Sequence, residues 1–265
     1  MKFCVPLADA GATLSGSVLA EATERVFLAM TDRITSLPLI VFDVNETLLD
    51  LETVSSLFER ILGHKSALQL WFANLILYSE ALTLSGNYVP FTEIGAAVLQ
   101  MLADTRGVRV TAADKKELTD RFAAMPPYPD VPRALRKLRS AGFQLFTLTN
   151  NTIEVQKRQL EQAGIIDQFD NHFSVGVPEV HRHKPAPQVY AYVEKQLRVP
   201  ASQLFLVACH TWDTLGAVAA GWGAALVKRP GNDVLSVGPQ PTFVGADLDD
   251  VVDQLIERFV RRPQQ

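Results

Sequence analysis

Asp43 ends a short apolar run, Leu37-Pro38-Leu39-Ile40-Val41-Phe42, and a polar turn with Asn45, Glu46 and Thr47 follows it. The pattern reads as a buried parallel strand whose C-terminal end presents a carboxylate to a crevice. Ligands of open α/β sheets bind at that end of the strands. A carboxylate placed there is able to act as a nucleophile and form a covalent ester. The plainer reading is a turn or helix-capping aspartate. Three further strand ends or adjacent loops carry polar side chains: Thr149 with Asn150, Lys184 before Pro185, and His210 with Asp213. Each also has a plain reading. Thr149 and Asn150 suit a helix cap, Lys184 a surface position, and Asp213 the first turn of a helix. Their joint occurrence, in this order along one chain, favours a site.

The elements that must hold these residues alternate. Helix Val131–Ser140 leads to strand Phe143–Leu148, and a polar turn opens a helix that ends near Gly164. Pro187–Leu197 reads as helix, Leu204–Ala208 as buried strand, Asp213–Ala220 as helix, Ala224–Val227 as strand and Leu248–Val260 as amphipathic helix. Alternation of this kind predicts a parallel sheet covered on both faces. Between Leu51 and Met125 the period is helical throughout. The stripes are Leu57, Phe58, Ile61 and Leu62; Leu68, Trp71, Phe72, Leu75, Ile76 and Tyr78; Ile94, Val98, Leu99 and Leu102; and Leu118 with Phe122. Gly86 and Gly107 break them, and Pro126, Pro127, Pro129 and Pro132 read as a linker back to the sheet. The organisation expected is an N-terminal extension over 1–36, a core from 37–51 and 128–265, and a helical cap over 52–127. Within the extension, Ser17 to Met30 carries a helical period.

Composition narrows the partners. A net charge of −4 leaves no electrostatic footprint for nucleic acid. The basic stretch Arg133 to Arg139 has helical spacing and reads as a solvated face. Two cysteines, Cys4 and Cys209, with Cys4 near a loose terminus, fit a reducing compartment without a structural disulfide. Cys209 follows a buried strand and reads as a half-buried, inert thiol. No secretory h-region and no membrane-length apolar run is legible, so a cytoplasmic protein is expected. Exposed apolar positions on the cap offer a surface for a homodimer.

The set of motifs resembles the haloacid dehalogenase superfamily. Motif one is Asp43-Val44-Asn45-Glu46-Thr47-Leu48, motif two Leu148-Thr149-Asn150-Asn151, motif three Lys184-Pro185, and motif four Cys209-His210-Thr211-Trp212-Asp213. The resemblance runs from about Leu37 to Phe259 and implies a Rossmann-like parallel sheet core with an inserted all-helical cap domain. Most of the superfamily are magnesium-dependent phosphatases, with a second aspartate where this chain has Asn45 and a motif-four acid where it has Cys209. Those replacements disfavour a magnesium site, which wants hard oxygen ligands.

The chain looks more like the type II (S)-2-haloacid dehalogenases, which need no metal or other cofactor. Lys184 with Tyr190 six residues on, Trp212-Asp213, Gly216-Ala217 and the segment Trp71 to Phe91 carry that likeness. It implies hydrolysis of a small 2-haloacid through an aspartyl ester. Asp43 would be the nucleophile, Lys184 the cation that keeps it ionised, and Asp213 the holder of Lys184 or polariser of water, while Thr47, Thr149 and Asn150 would bind the substrate carboxylate or the Asp43 oxygens. Thr149, Asn150, Tyr190, His210, Trp212, Asn45 and Phe72 would meet substrate, with His210 donating to the leaving group or, more plainly, capping the helix that follows. The chain departs from the pattern at Phe72, in place of a halide-binding arginine, and at His210, in place of an asparagine. A phosphatase of the same superfamily and a silent binding protein are the alternatives.

Overall fold

The computed structural model describes residues 37–261. The expected extension over 1–36, its helix and Cys4 lie outside them. Among the described residues, six parallel strands form one sheet in the order β3-β2-β1-β4-β5-β6. The strands are β1 (Leu39–Phe42), β2 (Leu145–Thr149), β3 (Asn171–Ser174), β4 (Leu204–Ala208), β5 (Gly223–Val227) and β6 (Phe243–Gly245). β1 lies between β2 and β4, with Phe42 in register with Thr147 on one side and Val207 on the other. The chain winds outward in both directions from β1, so the reversal point of the sheet lies beside it. The residues that follow β1, β2 and β4 therefore emerge next to one another at a crevice.

β1 and β4 are apolar almost throughout because both faces of a wound parallel sheet are covered by helices. The covering helices of the sheet are α5 (Val131–Ser140), α6 (Ile153–Gln162), α7 (Pro187–Leu197), α8 (Thr211–Ala219) and α9 (Leu248–Ile256), after which Glu257–Arg261 forms a wider π turn. The expected basic stretch lies on α5. Arg133 and Lys137 pair with Asp249 and Asp253 on α9, and Arg139 pairs with Asp170. These are exposed pairs of small energetic weight.

Between β1 and β2 the chain inserts a 3₁₀ turn (Leu51–Val54) and four helices: α1 (Ser55–Leu62), α2 (Ala67–Leu84), α3 (Phe91–Asp104) and α4 (Ala112–Ala123). Their expected stripes are buried, except that Tyr78 is 38 % exposed and lines an open groove between α2 and α3. Gly86 and Gly107 end helices with left-handed φ of +82° and +65°. Gly95 lets α3 approach Trp71, whose Nε1 donates to the Gly95 carbonyl at 2.8 Å. The exit and return strands of the insertion run side by side. Asp50 N donates to Pro126 O at 2.8 Å, and Tyr128 N donates to Leu48 O at 3.0 Å. Pro132 is not part of that crossing. It sits in the first turn of α5, where the missing N–H costs nothing.

Candidate active site

Asp43 is buried, and its side chain caps no helix; the cap of the following 3₁₀ turn is Asp50. Its Oδ1 accepts from Lys184 Nζ at 2.7 Å. Its Oδ2 accepts from Thr47 Oγ1 at 2.6 Å and lies 3.2 Å from His210 Nδ1. Lys184, from the loop before α7, is itself fully buried, and Nζ donates also to Asp213 Oδ2 at 2.7 Å and to Leu148 O at 3.1 Å. A buried ammonium is costly unless its donors are all matched; here three acceptors surround it. Burial opposes the charge on Asp43, but Lys184 and then His210 outweigh it and hold the carboxyl well below its ordinary range. Burial likewise opposes the charge on Lys184, and the two carboxylates raise its pKa above the ordinary lysine value. Asp213 is pushed up by burial, with Lys184 pulling against it and Asp43 adding to it.

Asp213 lies in the first turn of α8, as its spacing suggests, but both its oxygens are engaged. Tyr190 OH donates to Oδ1 at 2.8 Å, while Lys184 holds Oδ2. Thr47 is fixed from two sides: its hydroxyl accepts from Cys209 N at 3.0 Å, and its carbonyl accepts from Arg229 Nε and Nη2 at 3.1 and 3.0 Å. Cys209 is fully rather than half buried, because it continues β4 into the sheet interior, and burial raises its thiol pKa. The thiol is therefore neutral and inert at ordinary pH.

His210 occupies the N-cap position of α8, but its side chain makes no cap bond. Nδ1 faces Asp43, and Nε2 lies 2.8 Å from Glu46 Oε2. The imidazole stacks on Phe72 (5.5 Å between centroids) and on Trp212 (4.8 Å). Burial works against the imidazolium, yet its pKa is raised well above the ordinary value. Cys209, then Asp43 and Glu46, all beside the ring, act in that direction. Glu46 holds a left-handed φ of +62°, a strained conformation for a side chain of this kind.

The other expected substrate residues have protein partners. Asn150 Oδ1 accepts from Lys184 N at 2.9 Å, Thr149 Oγ1 accepts from Asn151 N at 3.2 Å, and Asn45 Oδ1 accepts from Gln159 Nε2 at 3.0 Å. The α6 cap is Thr152, not Thr149 or Asn150. A cleft of about 500 Å³ is lined by Glu46, Glu52, Phe72, His210, Trp212 and Asn232 among others, and His210 joins it to Asp43. Phe72, His210 and Trp212 of the expected substrate residues line it. Tyr190, Thr149, Asn150 and Asn45 do not.

Sequence reasoning did not single out Glu46, Gln159 or Arg229. Glu46 was within a quoted motif. Arg229 follows β5 at the same end of the sheet, a strand-end position that the rule used for Asp43 would have flagged. Gln159, mid-helix in α6, carries no such signal.

A magnesium ion would need near-octahedral oxygen ligands. Asp43, Cys209 and His210 each bring one donor atom to within 4.8 Å of the others. One of these is a buried neutral sulfur and another an imidazole between two carboxylates, while Lys184 holds the remaining oxygen of Asp43. These residues do not fit magnesium.

Residues 37–221 match the family of haloacid dehalogenase-like hydrolases. The chain is 28% identical over 218 residues to (S)-2-haloacid dehalogenase 2 of Pseudomonas sp. (strain CBS-3), covering 82% of this chain and 94% of that protein. It is 26% identical over 215 residues to haloacetate dehalogenase H-2 of Moraxella sp. (strain B), covering 80% of this chain and 95% of that protein. Among solved structures, an L-2-haloacid dehalogenase superposes with a TM-score of 0.78 at 27% identity, over 83% of this chain and 99% of that one. Among the described residues, no helix is long and apolar enough to cross a membrane.

Proposed function

The chain belongs to the haloacid dehalogenase-like hydrolases, and from that premise we propose that it hydrolyses small 2-haloacids, without a metal, through an ester on Asp43. The observation that carries the reading is the buried Lys184 ammonium, 2.7 Å from Asp43 and 2.7 Å from Asp213. This fixed protein cation keeps the nucleophile ionised. The names of the relatives support the substrate class.

In this reading the helices over 52–127 are the cap, and 37–51 with 128–265 are the core. Asp43 attacks the carbon that bears the halogen, in line and with inversion. The carbon–halogen bond breaks, the halide departs with its electron pair, and an ester forms. Water then attacks the ester carbonyl, so the carbon is not inverted again. Thr47 and Lys184 orient the two oxygens of Asp43. Holding nucleophile and carbon in line contributes at most about 7–11 kcal/mol. Phe72 and Trp212, on the cleft wall, exclude water from the reacting carbon. The Asn150, Tyr190, Thr149 and Asn45 side chains position the loops that hold Lys184, Asp213 and the turn after Asp43.

A single turnover of 2-chloropropionate in heavy-oxygen water tests the reading. The expected result is label in the Asp43 carboxylate and none in the first-turnover product. Label in the product alone would overturn the covalent route. Hydrolysis of phosphate esters with no halide release would favour a phosphatase, and binding without turnover a silent binding protein.

A further inference from the structure

We infer that His210, oriented by Glu46, is the base that delivers water to the Asp43 ester. The inference rests on the aspartyl-ester reading and assigns its second step. Three groups touch the Asp43 carboxylate: Lys184, Thr47 and His210. Lys184 is an ammonium with three acceptors, and the Thr47 hydroxyl already donates to Oδ2. Asp213 has Lys184 on one oxygen and Tyr190 on the other, and it is not part of the cleft wall. His210 alone of these groups both touches the reacting carboxylate and lines the cleft from which water arrives.

Glu46 supplies the second half of the arrangement. Its carboxylate lies 2.8 Å from Nε2, so the neutral tautomer keeps its proton there and leaves the Nδ1 lone pair toward Asp43. That is the relation of base and orienting carboxylate found in Ser-His-Asp hydrolysis. Glu46 makes this contact from a left-handed backbone conformation, φ +62°. The rings of Phe72 and Trp212 stack on the imidazole and hold its plane.

The protons balance. In the free enzyme the imidazolium donates to both Asp43 and Glu46. Ester formation cancels the negative charge of Asp43, so Nδ1 loses the anion that held its proton, and that proton leaves with the halide. Water then adds to the carbonyl carbon of Asp43 and gives a proton to Nδ1. The bond from that carbon to the alkyl oxygen breaks, and the departing oxygen takes the proton from Nδ1 as the product hydroxyl. The new carboxylic acid of Asp43 returns its remaining proton to Nδ1, which restores the starting state. One proton and one halide are released per turnover.

The test is rapid-quench kinetics and intact-protein mass spectrometry on the full chain with 2-chloropropionate. In His210→Gln the expected result is a halide burst near one equivalent, an accumulated adduct on Asp43, and a steady-state rate lower by about 10²-fold or more. Glu46→Gln should accumulate the same adduct with a smaller loss of kcat and little change in KM, and Glu46→Asp should recover part of the rate. If both variants lose the burst itself and form no adduct while the wild type turns over, His210 serves the leaving group instead and the inference is overturned. Unchanged turnover in both variants overturns it equally. Absence of halide release from the wild type sinks the haloacid reading, a failure distinct from either.

Discussion

Lys184 Nζ stands 2.7 Å from Asp43 Oδ1, and neither side chain has appreciable exposure. The contact ties the site to the stability of the fold. Lys184→Met keeps the stem but leaves Asp43 and Asp213 facing each other without a cation. Removing one partner of a buried ion pair costs about 3–5 kcal/mol. The folded pKa of Asp43 lies below its unfolded value. Its contribution is therefore complete above the unfolded value of about 4 and is lost as pH falls through the folded one. In Lys184→Met that contribution should vanish, and the melting temperature should drop most at neutral pH. A melting curve that matches wild type across pH 3–8 would show that the pair carries no such weight.

Asp43→Asn should abolish turnover and leave the fold intact, since an amide is not a nucleophile. Steady-state halide release with mass spectrometry to exclude deamidation checks it. Retention of more than about a tenth of the wild-type rate would end the covalent mechanism.

Activity should persist in excess EDTA. The donor set around Asp43 mixes sulfur and imidazole with one carboxylate, and magnesium prefers oxygen. Loss of halide release on chelation, restored by magnesium, would overturn the metal-independent reading.

The sheet was legible wherever both faces are covered. Leu204–Ala208 reads as a strand from its apolar run alone, and the structure gives the same bounds. β3 and β6 went unread. β3 opens with Asn171 and His172, and β6 has three residues, so neither presents the run that burial on two faces produces. The residues gathered at Asp43 were legible because they sit at strand ends, where topology brings distant segments together. Their partners were less so. That Tyr190 serves Asp213, or that Gln159 reaches Asn45, depends on which way a helix turns its face, and spacing along one chain does not give that. The two carboxylates around His210 were likewise invisible as a pair, because Glu46 sits at a left-handed φ that the sequence does not advertise.

His210 should leave a pH signature on stability. Its folded pKa lies well above the ordinary histidine value. The stability it contributes is fully present below the unfolded value of about 6.5 and is lost as pH rises through the folded one. The wild-type melting temperature should fall on the alkaline side of that window, and His210→Gln should flatten the slope. Parallel slopes in the two proteins would mean that the imidazole is not held charged by Asp43 and Glu46.

Tyr190 distinguishes a substrate contact from a positioning role. The likeness to the dehalogenases led to the expectation that it meets substrate. In the structure its hydroxyl donates to Asp213 Oδ1 at 2.8 Å and approaches Asp213 O at 3.1 Å, it is fully buried, and it is not part of the cleft wall. Gly216 makes room for it: a Cβ there would lie 2.3 Å from the Tyr190 hydroxyl. Tyr190→Phe removes one donor from a buried carboxylate that burial already pushes toward neutrality. Asp213 then holds its charge less well, and Lys184 loses part of the anion that fixes it. The cost in stability should be about 1–3 kcal/mol, as for a buried acceptor left short of a partner. The cost in chemistry should fall on kcat, with KM nearly unchanged, because no substrate atom is touched. A substrate-contacting tyrosine would give the reverse, a raised KM at near-normal kcat. Steady-state kinetics beside a thermal melt separates the two, and a KM rise without loss of stability would return Tyr190 to the substrate wall.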